Sequence, residues 1–113
     1  MNKGIIAVDF DGTIVDHVYP YIGKEKPRAV ETLIDLKKIG WKIIIWTCRE
    51  SIQLEEAIEW LKQRWFSPDA VNENIEQYPI LAKHKIVATY YFDDRSFPAF
   101  PGWDEVRRVF LGE

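Results

Sequence analysis

Short apolar runs alternate with stretches of helical periodicity along this chain. The runs rich in isoleucine, valine and aromatic residues are Ile5–Phe10, Trp41–Thr47 and Val87–Phe92. Uninterrupted apolar segments of this length are typical of strands buried on both faces of a parallel sheet. A further short strand is predicted at Asp69–Asn72. The pattern therefore predicts a sheet of mostly parallel strands.

Two helices are predicted between these strands. Pro27 suits the first turn of a helix, apolar residues then repeat at helical spacing, and Gly40 supplies the stop. The second helix is predicted from Ser51, a candidate N-cap, along an apolar side that includes Trp65, to the break at Ser67-Pro68. Each of these helices would connect one strand to the next.

A closing helix is predicted at Asp104–Leu111, where Val106, Val109 and Phe110 are expected to pack against the sheet. Strands that alternate with helices predict an open, mostly parallel α/β sheet in a three-layer, Rossmann-like arrangement. No linker or repeat divides the chain, so residues 1–113 are expected to form one domain.

Composition and charge narrow the class of protein. The chain has 47% hydrophobic and 29% charged residues, as in a compact soluble domain, and its net charge of −3 gives no general attraction to nucleic acid or anionic membranes. The apolar run before Asp9 is too short to span a membrane. Cys48 is the only cysteine, so an internal disulfide is excluded and a cytoplasmic location is expected.

Acidic residues follow the first and last predicted strands. Asp9 and Asp11 lie two residues apart before Gly12, and Asp93-Asp94 end the last strand. Ligands of open α/β sheets bind beyond the carboxyl ends of the strands, where these carboxylates would converge. Such a cluster needs a cation, and an all-oxygen site favours Mg²⁺. Asp-Gly is also an ordinary turn signal, so the first pair alone is compatible with a simple turn.

The same positions resemble the motifs of the haloacid dehalogenase-like (HAD) hydrolases, which are mostly phosphatases and phosphotransferases. Asp9-Phe10-Asp11-Gly12-Thr13 is similar to the first motif, and Ile43–Thr47 to the second, a strand ending in Thr or Ser. Lys85 suits the third motif and Phe92-Asp93-Asp94 the fourth. The resemblance spans roughly residues 4–96, with all four motifs in order.

The resemblance implies a Mg²⁺-dependent phosphomonoester hydrolase. Asp9 would attack phosphorus and form an aspartyl-phosphate, and Asp11 would serve as general acid and then general base. Thr47 and Lys85 would stabilise the charge of the transferred group. Residues expected to bind substrate are Gly12, Thr13 and Arg49, and the expected magnesium ligands are Asp9, Asp11 through its backbone carbonyl, Asp93 and Asp94.

Some assignments stay open at this point. Lys83 is the alternative to Lys85, and either Asp93 or Asp94 could bind the metal directly. Arg49 would either hold a substrate anion or serve as a structural ion-pair partner. His17 lies in a loop that would touch substrate or simply face solvent.

Family members often carry a cap domain, and the gaps between the motifs here leave no room for one. A phosphorylated small molecule is the expected substrate, and homo-oligomers remain an option. A nucleic-acid 3′-end phosphatase, similar to the phosphatase half of polynucleotide kinase-phosphatases, is disfavoured by the net acidity. A noncatalytic module that binds metal or phosphate is the third hypothesis. The run Phe97–Trp103 would cover the sheet edge, contact another subunit or form a substrate wall.

Overall fold

A parallel four-stranded sheet forms the centre of the protein. The computed structural model describes residues 3–75 and 85–113. The strands are β1 (Gly4–Val8), β2 (Trp41–Ile45), β3 (Ala70–Val71) and β4 (Tyr90–Phe92), arranged in the order β3-β2-β1-β4. Each pair of neighbouring strands is parallel. The predicted α/β class is confirmed.

Helices connect the strands and pack on one face of the sheet. Helix α1 (Ala29–Lys38) joins β1 to β2, α2 (Ser51–Lys62) joins β2 to β3, and α3 (Trp103–Leu111) follows β4. The main core cluster includes residues of all three helices together with alternate residues of the central strands, among them Ile6, Val8, Leu33, Ile43, Ile45, Leu61 and Val106. Side chains alternate across a strand, so this set defines one face.

The opposite face of the sheet has its own smaller core. Ile5, Ala7 and Ile44 pack there with Ile86. Partly buried residues from outside the three helices, including Ile75, complete this cluster. Within residues 3–75 and 85–113, helices therefore cover one face only, and these residues do not form the second helical layer of the predicted arrangement.

The strands are shorter than predicted: β1 and β2 end earlier and β4 begins later. β1 ends at Val8, and the carbonyl of Phe10 already accepts the backbone N–H of Ile14 at 2.9 Å. β4 begins at Tyr90 rather than at Val87. β4 is also an edge strand, so Tyr90 stays half exposed and was not buried as predicted.

Three expectations about the helices were wrong. Helix α2 begins with Glu50 as its N-cap and no side-chain cap, while Ser51 has a positive φ of 49°. The same helix ends at Lys62, and Trp65 beyond it is 89% exposed. On α3, Val106 is buried as expected but Val109 faces solvent.

The described residues contain no separate cap domain. None of the helices in these ranges has the length and apolar character needed to cross a bilayer. The segment after β4 behaves in two ways: Phe97 is fully exposed, whereas Phe100 packs against Phe92 with ring centroids 5.5 Å apart. Part of the Phe97–Trp103 segment therefore covers the edge of the sheet.

Trp103 ties the start of α3 to the loop that follows β1. Its buried indole Nε1 donates a hydrogen bond of 2.8 Å to the carbonyl oxygen of Thr13. Its ring also meets Phe92 and Phe100, with centroids 5.8 Å and 5.0 Å away. A residue distant in sequence thus fixes the backbone beside the acidic loop.

We expect Trp103→Phe to lower the free energy of unfolding by about 1–3 kcal/mol, because the buried carbonyl of Thr13 loses its hydrogen-bond donor. The matched control is Trp65→Phe at an exposed position, where the change should stay within about 0.5 kcal/mol. Urea denaturation followed by far-ultraviolet circular dichroism measures both. Equal unfolding midpoints for the two variants would contradict this role.

Candidate functional site

Three carboxylates converge at the carboxyl end of the sheet. Asp9 follows β1, and Asp93 and Asp94 follow β4, which is the parallel neighbour of β1. One carboxylate oxygen from each residue lies within 4.8 Å of the others. Asp9 and Asp93 are half-buried, whereas Asp94 is exposed. Parallel pairing of two strands thus brings together acids that are more than eighty residues apart.

Thr13 links two of these acids. Its buried hydroxyl donates to Asp9 Oδ2 at 3.3 Å and accepts the backbone N–H of Asp94 at 3.0 Å. Sequence analysis placed Thr13 among the substrate-binding residues. In the structure its hydroxyl is engaged within the protein, where it positions the acidic cluster.

Gly12 lets the carboxylate of Asp94 approach the backbone. Its φ is +90°, a left-handed value that side chains rarely adopt, and a Cβ at this position would lie 2.1 Å from Asp94 Oδ2. The expected role of Gly12 was substrate contact. In the structure, the missing side chain of Gly12 leaves room for the carboxylate of Asp94, which is one of the three clustered acids.

Burial and the neighbouring acids raise the pKa of Asp9. Burial is the main cause that raises the pKa of Asp9 to about 8, with the hydrogen bond to Asp94 and the charges of Asp93 and Asp94 adding to it. The hydrogen bond from Thr13 acts in the opposite direction. Three acids this close cannot all ionise readily without a cation, and their all-oxygen donor set suits Mg²⁺. The residues present therefore fit the predicted metal.

Asp11 points away from that cluster into a bidentate ion pair. Arg49 Nε donates to Asp11 Oδ2 at 2.7 Å, and Arg49 Nη2 donates to Asp11 Oδ1 at 2.8 Å. The Arg49 side chain is fully buried and that of Asp11 is 10% exposed. A paired, hydrogen-bonded charge can be buried in this way, but loss of either partner would leave the other charge uncompensated.

The remaining N–H groups of Arg49 hold the surrounding backbone. They donate to the carbonyl oxygens of Pro20 at 3.3 Å, Tyr21 at 2.9 Å and Gln53 at 3.3 Å. With the two bonds to Asp11, all five guanidinium donors are engaged. Of the two hypotheses for Arg49, this geometry supports the structural ion pair, since no donor is left for a substrate anion.

Thr47 lies at the end of β2, facing the same cavity. Its backbone N–H donates to Asn72 Oδ1 at 2.8 Å, and its hydroxyl accepts the backbone N–H of Arg49 at 3.1 Å. Asn72 follows β3 and has a positive φ of 53°. Sequence reasoning missed Asn72 as a partner of Thr47, although its position at the end of a short predicted strand was a usable signal.

The lysine of the predicted third motif is not part of this arrangement. Lys85 is exposed, and its backbone carbonyl accepts a hydrogen bond from Asn74 Nδ2 at 2.8 Å. It is not among the residues that line the cavity described next. The alternative, Lys83, lies outside the described residues.

A cavity of about 330 Å³ opens over the acidic cluster. Loop residues complete its walls, so the loop containing His17 does reach the site. Tyr19 and Arg95 were not predicted to contribute. The lining residues are Asp9, Asp11, His17, Tyr19, Thr47, Cys48, Arg49, Asp93, Asp94 and Arg95.

The chain is similar to a solved structure described as that of the conserved protein coded by locus from Bacteroides thetaiotaomicron. The two structures superpose with a TM-score of 0.88 at 39% sequence identity, over 99% of this chain and 93% of that one. The two proteins belong to one family. No protein-family model matches the chain, and no curated protein matches it. The description of the Bacteroides protein names no activity.

If the acidic cluster holds Mg²⁺, as the sequence predicts, Gly12→Ala should weaken that binding about tenfold or more, because the new Cβ would displace the carboxylate of Asp94. Gly102→Ala is the matched control, since Gly102 also has a positive φ of 101° but a Cβ there would meet no atom within 4 Å. Calorimetric titration with Mg²⁺ compares the two. Equal affinities in both variants would rule out the steric role of Gly12.

The raised pKa of Asp9 predicts how the metal-free protein responds to pH. Folded protein keeps a proton on Asp9 up to about pH 8, whereas the unfolded chain releases it near pH 3.8. Since the folded state binds more protons in this range, the stability contributed by this group falls as pH rises. The difference in unfolding free energy between wild type and Asp9→Asn should therefore shift in favour of the variant between these pH values. A pH-independent difference would contradict the assignment.

Proposed function

We propose that this protein is a Mg²⁺-dependent phosphomonoester hydrolase of the haloacid dehalogenase-like type, with Asp9 as the nucleophile. The observation that carries the proposal is the cluster of Asp9, Asp93 and Asp94, with carboxylate oxygens within 4.8 Å of one another at the carboxyl end of a parallel sheet. The order of the sequence motifs supports the same conclusion. We also propose that the enzyme is soluble and cytoplasmic, which agrees with its free Cys48.

The metal would be held by the carboxylates of Asp9, Asp93 and Asp94 and by the backbone carbonyl of Asp11. Bound there, Mg²⁺ would offset the repulsion between these acids and the incoming phosphate. That compensation is what makes an aspartate a usable nucleophile towards a phosphate dianion.

In the first step, a carboxylate oxygen of Asp9 forms a bond to phosphorus while the bond from phosphorus to the leaving oxygen breaks. For this step Asp11 would first take up a proton from solvent on a lone pair that Arg49 leaves free, and it would pass that proton to the leaving oxygen as the alcohol departs. In the second step, a water molecule attacks the phosphorus of the aspartyl-phosphate and passes a proton to Asp11. The bond from phosphorus to Asp9 breaks, which returns the carboxylate and releases inorganic phosphate.

The ion pair with Arg49 fixes the position of Asp11 for this role. Each carboxylate oxygen of Asp11 accepts one hydrogen bond from Arg49, at 2.7 Å and 2.8 Å, and retains a further lone pair. The pair therefore orients the carboxylate at the cavity wall without using all of its acceptor sites. Thr47, which lines the same cavity, would donate a hydrogen bond from its hydroxyl to a phosphoryl oxygen.

The size of the cavity favours a small substrate. A volume of about 330 Å³ suits a phosphoryl group with a leaving group of modest size. A phosphorylated small molecule is accordingly the proposed substrate class. The nucleic-acid 3′-end phosphatase hypothesis is separated from it by including oligonucleotide 3′-phosphates in the substrate panel.

With Mg²⁺, the purified protein is expected to hydrolyse para-nitrophenyl phosphate or members of a panel of sugar and nucleotide monophosphates. Asp9→Asn should lower kcat by about a thousandfold or more, because the amide cannot form the covalent intermediate. Asp104→Asn, at an exposed aspartate on α3, is the matched control and should retain wild-type turnover. Release of inorganic phosphate is the measurement.

Equal turnover in wild type and Asp9→Asn would contradict the proposal. Absence of Mg²⁺-dependent turnover on the entire panel would favour a noncatalytic module. In that event, calorimetry with Mg²⁺ and inorganic phosphate would show whether the site still binds either ligand.

A further inference from the structure

The basic side chains around the cavity differ in whether they are already engaged. Arg49 uses all five donors on Asp11 and backbone carbonyls. Lys26 pairs with Asp16 at 3.2 Å, and Lys85 does not line the cavity. Arg95 lines the cavity and forms no ion pair with any residue in the described ranges.

The backbone of Arg95 is fixed although its side chain is exposed. Its N–H donates to Asp93 Oδ1 at 2.9 Å. In the next residue, the hydroxyl of Ser96 donates to the carbonyl oxygen of Asp93 at 2.8 Å and its N–H donates to the same oxygen at 3.2 Å. The guanidinium therefore starts from a rigid turn built on one of the clustered acids.

We propose that Arg95 binds a second anionic group, carried by the leaving group of the substrate. This inference rests on the proposed function, because it assumes that the phosphoryl group to be transferred lies against Asp9. The substrates of the enzyme would then be phosphomonoesters that also carry a carboxylate or a second phosphate. The planar guanidinium can bind either group through two parallel hydrogen bonds.

The depth of the side chains in the cavity indicates that Arg95 contacts the leaving group rather than the transferred phosphoryl group. Asp9 is half-buried, whereas Arg95 is exposed and so lies towards solvent at the cavity mouth. His17 and Tyr19 are also exposed lining residues. A substrate with its phosphoryl group at Asp9 would extend its remaining part towards this mouth.

The positive charge of Arg95 is not paired with the acids that precede it in the chain. Asp93 and Asp94 are the two residues before Arg95, yet neither forms an ion pair with its guanidinium among the described residues. An incoming carboxylate or phosphate would therefore meet a guanidinium whose donors no described side chain occupies. Arginine in such a position selects for anionic partners.

The experiment measures inhibition of para-nitrophenyl phosphate hydrolysis by two similar esters in the presence of Mg²⁺. Phosphoglycolate carries a carboxylate where hydroxyethyl phosphate carries a neutral alcohol. The wild type should bind phosphoglycolate about tenfold more tightly or better, and Arg95→Gln should reduce that preference about tenfold. Lys38→Gln, at the far end of α1, removes the same charge as a control and should keep the preference. Arg95→Lys should retain part of the preference for phosphoglycolate over hydroxyethyl phosphate.

The inference is overturned if Arg95→Gln leaves the ratio of the two inhibition constants unchanged. It is also overturned if that variant weakens both esters equally, because Arg95 would then contact the transferred phosphoryl group. Both results leave the proposed function intact as long as Asp9→Asn still abolishes hydrolysis. If the wild type does not hydrolyse the aryl phosphate or any ester of the panel, the proposed function fails, and this inference fails with it.

Discussion

Electrostatic repulsion among carboxylates at one edge of the sheet is the constraint to which the surrounding structure responds. Thr13 donates to Asp9 and accepts from the backbone of Asp94, so one hydroxyl holds two of the acids in register. Gly12 leaves space for the carboxylate of Asp94. Arg49 removes Asp11 from the cluster by pairing with both of its oxygens. Burial, together with the acids that remain beside it, raises the pKa of Asp9, and a bound divalent cation would lower it again.

The same interactions connect the site to the body of the fold. Trp103 binds the carbonyl of Thr13 from α3, and Arg49 binds carbonyls of the loop at Pro20 and Tyr21 and of Gln53 in α2. Loops would move freely over an open sheet edge without such anchors. Here two buried polar side chains hold the acidic loop and the cavity wall against two different helices.

Parallel strand pairing made much of this site predictable from the sequence. Apolar runs located the strands, and acids directly after β1 and β4 had to meet once those strands became neighbours. Arg49 was harder, because its role depends on carbonyl oxygens of a loop whose path no local pattern indicates. The N-cap of α2 was missed since backbone geometry at Glu50 and Ser51, rather than a capping side chain, begins that helix. Arg95 was not predicted to contribute to the site, because the absence of an ion pair at its side chain is visible only in three dimensions.

The chain shares its family and its fold with the Bacteroides protein, and the chemistry of the acidic cluster needs a direct test. The central claim is that Asp9 becomes phosphorylated during turnover. Rapid acid quenching of the protein with Mg²⁺ and a substrate, followed by peptide mass spectrometry, detects such an intermediate. The account predicts one phosphoryl group on the peptide that contains Asp9, labile to base and absent from Asp9→Asn. Hydrolysis that proceeds with no phosphorylated Asp9, and that persists in Asp9→Asn, would contradict it.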